Sequence, residues 1–102
     1  MSVDPKIVEQ EVILQLQQVI DPETGVDVVR MRLIEDLTVD ETGTVHYRFR
    51  PSSPLCPLAV TLALQIKEAV AQVEGVTGQE VEVTGYVGAR ALNALLKEGE
   101  EN

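Results

Sequence analysis

The sequence has a single cysteine, a single histidine, no tryptophan, only three aromatic residues, and eight basic residues against seventeen acidic ones. One cysteine cannot close an internal disulfide, so a reducing, cytoplasmic setting is expected. Nor can it build a mononuclear zinc site with a second cysteine of the same chain. No apolar run approaches the roughly 18 residues of a membrane span, and Met1-Ser2-Val3-Asp4-Pro5 lacks a basic-then-apolar signal pattern. A net charge of −9 speaks against nucleic acid and against an anionic membrane surface, and three aromatics provide no base-stacking platform. There is no glycine-rich phosphate loop, no nucleophile elbow and no His-Glu-x-x-His helix. The expectation is therefore a protein that is not an enzyme, with a protein partner or small ligand.

What is present is one domain of ordinary composition, 44% hydrophobic and 25% charged over 102 residues. Residues 1–97 form the expected domain and 98–102 an acidic frayed tail. Asp4 is a good helix N-cap and Pro5 suits the first helical position. Val8, Val12, Leu16 and Val19 then recur at helical spacing, predicting a helix that ends near Ile20, because Pro22 disfavours helical geometry at Asp21. Asp21-Pro22-Glu23-Thr24-Gly25 is a turn by composition, and its two carboxylates are either solvated or a weak cation site.

Alternation from Val28 to Val39 predicts a strand, with a bulge or break near Glu35, where the pattern slips. Asp40-Glu41-Thr42-Gly43 reads as a hairpin loop and Thr44 to Arg50 as the returning strand, with Val45, Tyr47 and Phe49 inward. His46 falls on the outer face among arginines, a poor setting for a cation ligand. Pro57 to about Val73 predicts a second helix, ended by Gly75, whose apolar surface is broad enough to call for burial on more than one side. Gln79 to about Val87 predicts a third strand, with Val81, Val83 and Val87 inward and Glu80 and Glu82 available to pair with Arg30, Arg32, Arg48 or Arg50. A short helix, Ala89 to Lys97, closes the chain. The expected fold is α+β, a two-layer sandwich with helices on one face of a small, mostly antiparallel sheet, in the order α-β-β-α-β-α.

The chemistry concentrates in Pro51-Ser52-Ser53-Pro54-Leu55-Cys56-Pro57. With Pro57 opening the helix, Cys56 would sit at or beside its N-cap, where free N–H groups and the positive end of the dipole favour a thiolate. Ser52 and Ser53 could donate hydrogen bonds to it, but no histidine or acid is placed to make a triad. The alternative is a small buried hydrophobe. One activated cysteine suits partial ligation of a soft metal or cluster, completed by a second subunit or a client.

Three stretches together carry a resemblance. Asp21-Pro22-Glu23 with Gly25 and Asp27-Val28-Val29, then Ser52 to Leu58, then Gly75-Val76-Thr77-Gly78 leading into Val81-Glu82-Val83, resemble the metal–sulfur cluster biosynthetic family. It is the family of SufT and the PaaD-type oxygenase subunits, related to the eukaryotic cytosolic iron–sulfur targeting factor. The resemblance implies iron–sulfur cluster assembly or delivery to apo-proteins, often beside a P-loop scaffold ATPase. It implies that Cys56 is the functional, metal-ligating residue, and it marks the acids of the Asp21 turn, Asp21 and Glu23, as a recurrent feature. A transient cluster, bridging two subunits of a homodimer, is the implied cofactor. Two positions depart from the pattern: Arg30 stands where the family has an acid or amide and Arg32 where it has glycine. If that glycine lets something approach closely, Arg32 fills the space. Two alternatives stay open, an interaction subunit of a multicomponent oxygenase and an adaptor that has lost ligand binding.

Overall fold

A computed structural model describes residues 4–52 and 58–100. Three helices and three strands follow in the order expected: α1 Pro5–Leu16, β1 Ile34–Val39, β2 Thr44–Phe49, α2 Ala59–Ala71, β3 Gly78–Val83 and α3 Ala89–Glu100.

Helix α1 opens as its sequence dictates. The Asp4 carboxylate accepts the Lys6 N–H at 3.0 Å, with Pro5 behind the cap. Val8, Val12 and Leu16, on one stripe, are fully buried. The helix ends four residues before Ile20. Gln18 and Val19 turn back onto the Gln15 and Leu16 carbonyls, and the chain then pairs with its own continuation: Ile20 bridges Asp27, and Val28 N–H donates to the Val19 carbonyl at 3.0 Å. That pairing, together with Pro22, stops the helix.

Residues 28–33, expected to open the first strand, form a tight turn instead. Arg32 N–H donates to the Val29 carbonyl and Leu33 N–H to the Val28 carbonyl, each at 3.0 Å. This 5→2 and 6→1 pair is the Schellman arrangement, with Arg32 at the left-handed position (φ +60°) and Val28 and Leu33 buried as its apolar contact. Glycine normally occupies such a position. Arg32 keeps the turn while accepting strain.

β1 and β2 pair antiparallel through the Asp40–Gly43 loop, and the expected irregularity is there: the register slips between Glu35 and Thr38, with Asp36 at φ +52°. Gly43 (φ +90°) is doubly constrained, because a Cβ on it would run into the Gly75 carbonyl. β3 lies on the other side of β2 and runs parallel to it, giving a mixed sheet in the order β1-β2-β3. The parallel pairing follows from α2, which carries the chain back across the sheet before β3 begins. β3 stops at Val83. Val87, expected inward, is 72% exposed.

Val45, Tyr47 and Phe49 of β2 meet Leu62, Ile66 and Val70 of α2 and the α1 stripe in one core. Inside it the Tyr47 hydroxyl donates to the Gln79 amide oxygen at 2.8 Å, and the Gln79 amide nitrogen donates to the Lys67 carbonyl at 2.8 Å. Lys67 in turn reaches the Leu96 carbonyl, tying α2 to α3. Leu92 and Leu96 of α3 are buried, while Asn93 binds both the N–H (2.7 Å) and the carbonyl (3.2 Å) of Val83. That side chain answers backbone groups of an edge strand which would otherwise be open for pairing. The broad apolar surface of α2 is covered on the core side only: Val60 and Leu64 are exposed.

Candidate functional site

The loop leaving β2 for α2 is held at its start from both sides. Phe49, the last residue of β2, accepts the Thr84 N–H at 3.0 Å, and Arg50 N–H donates to the Leu33 carbonyl at 2.8 Å. Pro51 is buried and Ser52 exposed. Ser53 and Cys56 fall outside the described residues, which resume at Leu58. Helix α2 begins at Ala59 with Leu58 as its N-cap, two residues later than a start at Pro57. A leucine side chain has no acceptor to offer, so it satisfies none of the N–H groups of the first turn, where the helix dipole is positive.

Because β2 and β3 are parallel, their carboxyl ends lie on the same side of the sheet. The β2–α2 loop therefore leaves from the carboxyl end of a β-α-β unit, the edge at which open α/β sheets bind ligands. Sequence alternation alone could not place it there, since it reports faces and not strand direction.

The Asp21 turn is built differently. Asp21 is 1% exposed; its carboxylate accepts the Glu23 N–H at 2.8 Å, its carbonyl accepts the Gly25 N–H at 2.8 Å, and its own N–H donates to the Val26 carbonyl. These bonds hold the Asp-Pro-Glu-Thr-Gly loop in one shape, an Asx turn closed by Gly25 at φ +72°. Glu23 is exposed. Among the described residues no hydrogen bond joins Asp21 or Glu23 to Ser52, and no three histidine, cysteine or acidic side chains gather where a metal ion could be held.

The outer face of the sheet is laid out in charge-paired rows. His46 stands between two carboxylates, Asp40 (Nε2 to Oδ2, 2.9 Å) and Glu80 (Nδ1 to Oε2, 3.0 Å), not among arginines. Arg48 stands between Asp36 (3.1 Å) and Glu82 (3.6 Å). His46 and Arg48 of the central strand thus each lie between two carboxylates, from the hairpin loop or β1 on one side and from β3 on the other. The His46 ring beside Asp40, aided by the Thr42 hydroxyl and the Thr44 N–H, holds that carboxyl well below the usual carboxylate range. The expected pairing with Glu82 is made by Arg48, whereas Arg30, Arg32 and Arg50 are exposed and carry no ion pair among the described residues.

A depression of about 440 Å³ between α1 and the C-terminal half of α2 is lined by Gln15, Gln18, Gln65 and Gln72. Its amides can bind polar groups, but it contains no nucleophile or metal-ligating cluster. The β2–α2 loop is the better candidate.

Residues 9–83 match the model of the family described as iron–sulfur cluster assembly protein. An uncharacterized protein of Methanocaldococcus jannaschii, MJ1129, is 39% identical over 94 residues, covering 92% of this chain and 99% of its own. The Fe-S protein maturation auxiliary factor YitW of Bacillus subtilis is 40% identical over 68 residues, 67% of each chain. A solved structure from Thermotoga maritima, the conserved hypothetical protein TM0487, superposes with a TM-score of 0.72 at 31% identity over 95% of this chain and 97% of that one. The fold is thus a known scaffold, and this chain belongs to the iron–sulfur cluster assembly protein family.

Proposed function

We propose that the protein assists the maturation of iron–sulfur apo-proteins by assembling or delivering a cluster, with Cys56 as the thiolate that contacts cluster or client. Ser52 and Ser53 tune that thiolate by hydrogen bonding. The cluster is cargo, held transiently or between the subunits of a homodimer, and the protein works in a reducing cytoplasm without catalysing a reaction of its own. Its partners are apo iron–sulfur proteins or a scaffold ATPase. The observation that carries this reading is the position of the cysteine's loop, between the carboxyl end of β2 and a helix whose N-cap, Leu58, has no side-chain acceptor for the N–H groups of the first turn. A soft, anionic ligand in that loop gains from the helix dipole and can meet a metal at an exposed edge. The description of the Bacillus subtilis relative as a maturation auxiliary factor supports the same role.

The test is anaerobic reconstitution with iron and sulfide of the wild type and of Cys56→Ser, read by absorption and iron counting. Thiolate-to-iron absorption in the wild type that is lost in a folded Cys56→Ser protein is the expected result. A variant that binds iron equally well, or fully restores client maturation, would overturn the assignment. An adaptor that binds no cluster is the second reading, favoured by the exposed Val60 and Leu64 of α2, which offer apolar surface to another protein. Absence of iron from both proteins, with client binding intact, would select it.

A further inference from the structure

Four of the five arginines in this acidic chain make no ion pair among the described residues, and the fold gathers three of them, Arg30, Arg32 and Arg50, at one end. Arg30 and Arg32 lie on the 28–33 turn. Arg50 N–H is bonded to Leu33 of that same turn, and the Arg50 side chain lies against Gly85, where a Cβ would come within 3.2 Å of its Cγ. Three neighbouring carboxylates have partners elsewhere than these guanidinium groups. Asp27 accepts the Arg30 N–H at 2.8 Å, and Asp36 and Glu82 both face Arg48. Arg32 also occupies a left-handed backbone position that favours glycine (φ +60°), so the cationic side chain sits there against the local conformational preference. Backbone strain of this kind marks places where a side chain is put to use.

We infer that Arg30, Arg32 and Arg50 form a docking surface for a carboxylate-rich face of a partner protein, beside the loop that carries Cys56. Guanidinium groups recognise carboxylates through paired N–H donors, and three arginines together on a protein of charge −9 give an acidic partner a favourable approach. Three charges with no aromatic platform are a poor match for a nucleic-acid backbone. The inference rests on the reading of the protein as a factor that works by contact with partners. Its test involves no iron, cluster or client, so its failure and the failure of that reading are separately visible.

The experiment titrates a short fluorescein-labelled oligoglutamate peptide at low salt, with binding read by anisotropy and by backbone amide shifts. The expected result is saturable binding that weakens with salt and perturbs residues 29–33, 50–52 and 84–86. Affinity should fall about tenfold in an Arg30→Ala, Arg32→Gly, Arg50→Ala variant and stay unchanged in Arg48→Ala, whose charge is already paired. Arg32→Gly alone keeps the test sound if the triple variant folds poorly, since glycine suits that turn; it should weaken binding while raising the melting temperature. No saturable binding, an equal loss in Arg48→Ala, or displacement of the peptide by oligodeoxythymidylate of equal charge would overturn the inference.

Discussion

Leu33 donates its backbone N–H to the Val28 carbonyl across a turn whose left-handed position is filled by Arg32. A non-glycine residue at such a φ costs about 1 kcal/mol relative to glycine. Arg32→Gly should therefore stabilise the protein by about 0.5–1 kcal/mol in urea denaturation. A β-branched residue is worse suited to positive φ than arginine, so Arg32→Val should lower stability. Equal midpoints for the three proteins would show that the turn is not held as described.

Gly43 meets the Gly75 carbonyl where the β1–β2 hairpin packs against the chain between α2 and β3, and Thr77 N–H donates to the Gly43 carbonyl at 3.0 Å. A methyl group at position 43 must displace backbone while also adopting φ +90°. Gly43→Ala is expected to destabilise by about 2 kcal/mol or more, against about 0.5–1 kcal/mol for relief of chain entropy in the other direction. Thermal unfolding decides between them.

Asn93 satisfies both backbone groups of Val83 on the β3 edge. Asn93→Ala leaves that N–H and carbonyl without their side-chain partner, an expected cost of about 1–3 kcal/mol. Hydrogen exchange should show the Val83 amide losing protection well before the amides of β2, which is paired on both sides. Retained protection at Val83 would assign the edge to other contacts of α3.

Asp40 accepts hydrogen bonds from His46, Thr42 and Thr44, and its folded-state carboxyl lies below its ordinary range. A lowered folded pKa means that the unfolded chain takes up a proton first as pH falls. The contribution is thus complete above the ordinary carboxylate range and is lost as pH drops through that range toward the depressed value. Asp40→Asn should flatten the stability profile in this acid window. The difference from wild type is largest near neutrality and smallest in strong acid, and salt reduces it because the pair is exposed. A constant difference across the titration would exclude the linkage.

Much of the architecture is legible locally. The Asp4-Pro5 start of α1, the 8-12-16 stripe, the Asp40–Gly43 hairpin, the irregularity near Glu35 and the inward Val45, Tyr47 and Phe49 depend on residues close in sequence, where cap, turn and alternation rules operate. The same holds for the motifs around Asp21 and Cys56 that pointed to the family.

Other features depend on partners far along the chain. Ile20 and Asp27 bridge across the Asp21 turn and shorten α1, and the turn closed by the Leu33 N–H on the Val28 carbonyl begins β1 later than alternation alone suggests. Strand direction left no trace in the pattern of β3, since inward and outward positions alternate alike in parallel and antiparallel pairs. The charges show the division most plainly. Composition fixed the excess of acid, but only the register of three strands decided that His46 and Arg48 would be enclosed by carboxylates while Arg30, Arg32 and Arg50 stayed free. Electrostatic pairing is a matter of distance in space, and for residues as far apart as Arg48 and Glu82 the tertiary fold alone sets that distance.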